Sequence, residues 1–101
     1  MRRSLAGRGA ALIATALMMA LSGCAGAPVQ EMSDARQAIN AARAAGAAES
    51  APEPLAQATE LLANAEQALQ KHDYRTARRQ AEEAHAQAVT ALNLASQATK
   101  P

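Results

Sequence analysis

The side chains able to do chemistry in this chain are few and scattered: the lone thiol of Cys24, the imidazoles of His72 and His85, the cations Lys71, Arg75, Arg78 and Arg79, and the near-terminal amine of Lys100. A metal centre needs several ligands converging on one point. The two histidines stand thirteen residues apart, with no second cysteine and no clustered carboxylates beside them. His72 is expected at a helix end and His85 on a partly solvated face, and neither is expected to bind metal. An activated nucleophile needs a base and an orienting group within reach, and no Ser or Thr has them at a recognisable spacing. The expectation is therefore a protein that is not an enzyme and carries no cofactor beyond what modifies Cys24.

Cys24 has a distinctive approach. Met1 to Gly9 carries Arg2, Arg3 and Arg8 and no acid, and the twelve residues from Ala10 to Leu21 are apolar or small apart from Thr15. A basic start, a short apolar core and a small-residue exit describe a secretory signal peptide. The apolar core is too short for a membrane-spanning helix, which takes about 20 residues. Leu21-Ser22-Gly23-Cys24 resembles the bacterial lipobox at all four positions. That resemblance implies cleavage before Cys24, a diacylglycerol thioether on its sulfur, and fatty acylation, such as palmitate, of the new amino group. The alternative is an ordinary signal peptide with an incidental cysteine, although an unpaired thiol in an exported chain is uncommon. A single acyl chain binds a membrane only marginally, whereas two or more hold stably. A fully modified Cys24 would then stay in its membrane without help from the protein part. In lipoproteins of the enteric type an Asp after the cysteine favours inner-membrane retention; Ala25 in that place implies the outer membrane, facing the periplasm.

With residues 1–23 set aside as signal, seven Lys and Arg face nine Asp and Glu, a net charge of −2. Nothing in that balance suggests nucleic acid as a partner, and the absence of Trp and Phe gives no support to stacking on bases or sugars. Alanine fills 24 of the remaining 78 positions. Short chains bury little surface even when well patterned, and a deep pocket is hard to build from alanine. Residues 24–32 read as lipidated cysteine and tether, and 33–101 as one alanine-rich helical domain.

The elements that must position the scattered groups are helices. Ser33 or Asp34 could cap a first helix over about 33–45, with Gly46 supplying a left-handed stop. Pro52 and Pro54 exclude a continuous helix through "GAAESAPEP", and Pro54 suits the first position of a second helix over about 54–71. Asp73 is a candidate cap for a third, over about 74–99. Ala77, Ala81, Ala84, Ala88, Ala91, Ala95 and Ala98 step by four and three without a miss, as do Leu55, Ala58, Leu62, Ala65 and Leu69, and Met32, Ala35, Ile39 and Ala42. Such steps place each set on one seam of its helix. The fold class is all-α: a small antiparallel three-helix bundle, or a helical hairpin with a short first helix. The third helix, longer than the second, should overhang, and Leu94 falls opposite Val89 as a candidate contact residue or a single exposed leucine.

"APEPLAQATELLANAEQALQKHDYRTARRQAEEAHAQAVTALNLAS", residues 51 to 96, resembles an alanine-rich helical domain of unknown function found in short proteobacterial lipoproteins, sometimes ahead of an OmpA-like peptidoglycan-binding domain. Ala51-Pro52-Glu53, Asp73-Tyr74, Ala77-Arg78 and Ala81-Glu82-Glu83-Ala84 carry the likeness, and "DARQAINAARAAGA" extends it over nearly all of the folded part. The resemblance implies a helical fold and supplies no activity.

Two groups of cations remain as interaction candidates. Arg75, Arg78 and Arg79, with Lys71, form a basic cluster at the hairpin tip, suited to phosphate, acidic glycan or an acidic protein face. Arg78–Glu82 and Arg79–Glu83 are also four apart, the spacing of ordinary solvated helix pairs. Lys100 resembles the near-terminal lysine through which Braun-type lipoproteins are joined to peptidoglycan, though Pro101 follows it and the prolines break the long rod; a plain polar helix end is the other reading. The sequence thus points to a non-catalytic, membrane-anchored periplasmic lipoprotein serving as an envelope structural or protein-interaction module. Self-association and another envelope protein are its expected partners, with a peptidoglycan tether through Lys100 as the alternative.

Overall fold

The computed structural model describes residues 26–100. The signal segment, Leu21, Ser22, Gly23, Cys24 and Pro101 lie outside the described residues. Among those described there are four helices and no strand: α1 (Val29–Ala44), α2 (Ala47–Ser50), α3 (Pro52–Gln70) and α4 (Tyr74–Ala98). The expected all-α class is what the chain forms.

α1 starts earlier than the Ser33 or Asp34 expected as its cap. Pro28, at φ −79°, stands just ahead of its first turn, and its carbonyl accepts the amide of Met32 at 3.1 Å. Met32 is buried at 2 % exposure, so docking of that side chain holds the first turn in place. Ser33 and Asp34 sit inside the helix and bond along it instead, to Gln37 at 3.3 Å and Gln30 at 2.9 Å. The tether expected over 24–32 is shortened accordingly. Gly46, at φ +89°, ends α1 in the left-handed conformation, its amide bonded to the Arg43 carbonyl at 3.0 Å.

The connection after Gly46 contains the single turn α2. Ala47 is fully buried, and the Ser50 hydroxyl donates back to the Gly46 carbonyl at 3.0 Å. α3 begins at Pro52, two residues before the Pro54 expected to open it, with Ala51 as its N-cap. The first helical amides have no intrahelical acceptor. Both prolines therefore fit in the opening turn without removing a bond.

α3 and α4 are joined by only Lys71, His72 and Asp73. The amide of His72 bonds the Leu69 carbonyl at 3.0 Å and that of Asp73 the Ala68 carbonyl at 2.9 Å, the paired bonds of a Schellman motif. His72 takes the left-handed position, at φ 61°, that glycine usually fills. Asp73 closes α3 and caps α4 at once, accepting the Thr76 amide at 3.3 Å.

α4 is the central element, with α3 antiparallel to it and α1 running parallel along its other side; α1 and α3 meet over a narrower strip. Met32, Ala65 and Ala81 form a layer near the hairpin end. Ile39, Ala42, Leu55, Ala58, Ala88, Ala91 and Ala95 belong to a longer layer toward the other end. Among the described residues, fourteen of the seventeen buried apolar residues besides Pro28 are alanine, and no polar residue is buried. Side chains that small bring axes toward the near end of the usual 8–10 Å spacing. The α4 seam is buried from Ala77 through Ala95, but Ala98, expected to continue it, is exposed, as is every described residue beyond Ala95. Neither α1 nor α3 reaches that last turn, so it overhangs.

Candidate functional site

The most specific polar arrangement in the fold is built around Arg78. One turn into α4, its Nη2 donates to the Gly26 carbonyl at 2.9 Å and its Nε lies 3.4 Å from Glu31 Oε1 in the first turn of α1. The expected partner was Glu82, four residues along the same helix. The half-buried Arg78 instead crosses to α1, because the parallel packing of α1 on α4 brings both helix starts to one level. It thus leaves the cluster of free cations and fastens the entry of the chain to the bundle.

Lys71, Arg75 and Arg79 remain exposed around the same end. Arg79 reaches Glu83 at 3.9 Å with both side chains more than half exposed, a pair of the expected kind that contributes little to stability. Hydrogen bonds from Thr76, from its side chain and its backbone amide, and then the charges of Arg79 and Arg75, hold the Asp73 carboxyl below its ordinary range. The rings of His72 and Tyr74 stand tilted to each other with centroids 5.9 Å apart. A polar cleft of about 310 Å³ between α3 and α4 is lined by Asn64, Gln67, Lys71, Asp73, Thr76 and Gln80. In it the buried Oε1 of Gln80 accepts no hydrogen bond from the chain. Gln80 as a residue is only half-buried; its Oε1 is enclosed because this turn of α4 faces α3, which no local feature of the sequence signals.

His85 is exposed and lines a crevice of about 100 Å³ with Glu31, Asp34 and Glu82 between α1 and α4. Among the described residues no three His, Cys, Asp or Glu side chains come together in a geometry that could hold a metal ion. No described helix is long and apolar enough to cross a membrane.

The other interaction candidates lie at the opposite end. Leu94, 44 % exposed, is with Val29 one of two large apolar side chains left in solvent among the described residues. Lys100 follows the overhanging turn of α4 and is exposed. The structure thus separates the candidates into two groups: Lys71, Arg75, Arg78 and Arg79 at the hairpin end, where Arg78 holds Gly26, and Leu94 and Lys100 toward the other end of α4. Arg78 to Lys100 spans 22 residues, about 33 Å at helical rise.

No curated protein and no solved structure matches this chain. Residues 30–100 match the family described as "Domain of unknown function (DUF4398)". The match begins at the second residue of α1 and takes in the whole packed bundle, and the chain belongs to that family.

Proposed function

We propose that this chain is a lipid-anchored component of the bacterial envelope that presents its helical bundle to a partner and catalyses nothing. The lipobox Leu21-Ser22-Gly23-Cys24 carries the anchor reading, and the bond from Arg78 to Gly26 sets how the bundle would hang from it. Covalent reach, about 3.6 Å per residue, keeps position 24 within about 7 Å of Gly26. A lipid on Cys24 would thus attach the bundle by its hairpin end, and Leu94 and the overhanging turn of α4 would point away from the membrane. The complete lipobox at Leu21 to Cys24 and the basic, then apolar, leader support the anchor. Ala25 after the cysteine supports the outer membrane, facing the periplasm, as the location, and so does the resemblance of residues 51–96 to a domain of short proteobacterial lipoproteins.

Acylation is tested by metabolic labelling with a fatty-acid probe: the wild type should carry label and Cys24→Ala should not. Label retained in Cys24→Ala would remove the anchor. The interaction surface is tested by photo-crosslinking in cells from position 94 with the lipobox intact. A product at twice the mass supports self-association, a product with another envelope protein supports an adaptor, and no product in either class rules out a contact there.

The exposed amine of Lys100, beyond the overhanging turn, favours one second reading, a tether joined covalently to peptidoglycan. Sacculi boiled in SDS should then retain the wild type and lose Lys100→Arg. Sacculi free of the protein would end that reading and leave the anchor untouched.

A further inference from the structure

We propose that the hairpin end of the bundle docks on anionic phospholipid headgroups through Lys71, Arg75 and Arg79, in the same bilayer that the Cys24 lipid enters; the proposal rests on the anchor reading above. The placement follows from the chain. Gly26 is held to Arg78, one turn into α4, so the start of α4 lies about 6 Å along the axis from the level at which the anchor joins the bundle. A bundle attached there keeps the start of α4 within about 13 Å of the anchored residue along the chain's own reach, the offset of about 6 Å plus about 7 Å for two residues.

The charge on this end is of the right sign. From Lys71 to Arg79 the chain carries four cations and one acid, with Glu82 and Glu83 exposed one turn further on, and Lys71, Arg75 and Arg79 are exposed. Glu31 is taken by Arg78. Asp73 is held by Thr76 at the N-cap. Glu83 reaches Arg79 only at 3.9 Å, in solvent, a contact that headgroup phosphates can replace. The rest of α4 is different, since Ala84 to Thr99 contains no Lys, Arg, Asp or Glu at all. Within α4 the charges therefore lie at the anchored end, while Arg43, Glu49, Glu53 and Lys100 are the charges toward the end that would project. Half-buried Tyr74, next to His72 at the tip, has the apolar body and polar end that suit a membrane interface. Each basic side chain near an anionic surface favours contact by about fivefold. Three of them would fix the tilt of a bundle that the lipid alone leaves free to pivot.

The test uses the full chain, expressed with its lipobox, purified and mixed into vesicles of phosphatidylcholine alone or with phosphatidylglycerol added. Flotation reads attachment, and an amine-reactive reagent with peptide mass analysis reads Lys71 against Lys100. Flotation with both vesicles, and labelling of Lys71 slowed at least fivefold only in the anionic ones while Lys100 is unchanged, is the expected result. The slowing should shrink in Arg75→Gln/Arg79→Gln and vanish at 1 M salt, where screening reaches about 3 Å. Flotation with both but labelling of Lys71 at the same rate on the two vesicles overturns the docking and leaves the anchor standing. Flotation with anionic vesicles alone overturns the anchor and supports the basic surface. Flotation with neither overturns both.

Discussion

Arg78 Nη2 donates to the carbonyl oxygen of Gly26 at 2.9 Å, joining positions 52 residues apart. With Glu31 on its Nε, the planar guanidinium spans two acceptors on one side of α4, a geometry that a lysine ammonium does not reproduce. Arg78→Ala should therefore cost about 1 kcal/mol, a charged hydrogen bond reduced by its partial exposure. Amide exchange over Val29 to Met32 should speed up more than in α3. Arg78→Lys should recover less than half of the loss in chemical denaturation. Equal stability of the alanine variant and the wild type would mean that the contact does not hold the entry of the chain.

Asp73 supplies a dependence on pH. Its folded carboxyl is lowered from 3.8 by the Thr76 hydrogen bonds and then by Arg79 and Arg75. A group whose pKa falls on folding adds stability that is complete above its unfolded pKa and is lost as pH drops through the folded value. Asp73→Ala should thus lower Tm at pH 7, and the gap to the wild type should close as pH falls below 3.8. Asp73→Asn keeps a capping oxygen without the charge. Its Tm should lie between the two at pH 7, with a flatter pH profile than the wild type. A gap that stays constant down to pH 2 would assign the loss to something other than the carboxylate.

The two left-handed residues among those described, Gly46 and His72, should respond in opposite directions. At Gly46 an added Cβ would meet nothing closer than Glu49 Oε2 at 3.9 Å, so Gly46→Ala should cost only the backbone conformation, about 1–2 kcal/mol. At His72 a side chain already bears that strain. His72→Gly should raise stability by about 0.5–1 kcal/mol, the relief exceeding the added freedom of the unfolded chain. Denaturation midpoints of the two variants decide it, and a loss at His72→Gly would show that its packing on Tyr74 outweighs the strain.

The helices were legible because their signals are local. Asp73 lies three residues before the amide it caps, Gly46 follows α1 directly, and the alanine seam repeats within one helix. The partners of Arg78 were not legible, because Glu31 and Gly26 come to it only once α1 has packed parallel to α4. Glu82, at the helical spacing, was the partner a local reading selects. The start of α1 was misplaced for the same reason: Ser33 and Asp34 have the chemistry of caps, but burial of Met32 draws the helix four residues further back. The two-ended distribution of candidate residues likewise depends on packing. Lys71 and Lys100 are both lysines near helix ends in sequence, and only the bundle puts one at the end where Arg78 holds Gly26 and the other at the far end of α4.

The alanine seam of α4 offers a final test, since periodicity treats Ala88 and Ala98 alike and packing does not. Ala88 is fully buried in the layer that also contains Ile39, Ala42 and Ala58, where three extra carbons have no room. Ala88→Leu should force α1 and α3 apart and cost about 1–3 kcal/mol. Ala98 lies on the overhanging turn and is exposed, so Ala98→Leu should change stability by no more than about 0.5 kcal/mol. Urea denaturation at micromolar and at tenfold higher protein concentration separates fold from association. If Ala98→Leu became clearly stabilising only at the higher concentration, the overhang would be an interface between copies. If it were strongly destabilising at both, α4 would be packed to its end and the overhang would not exist in solution.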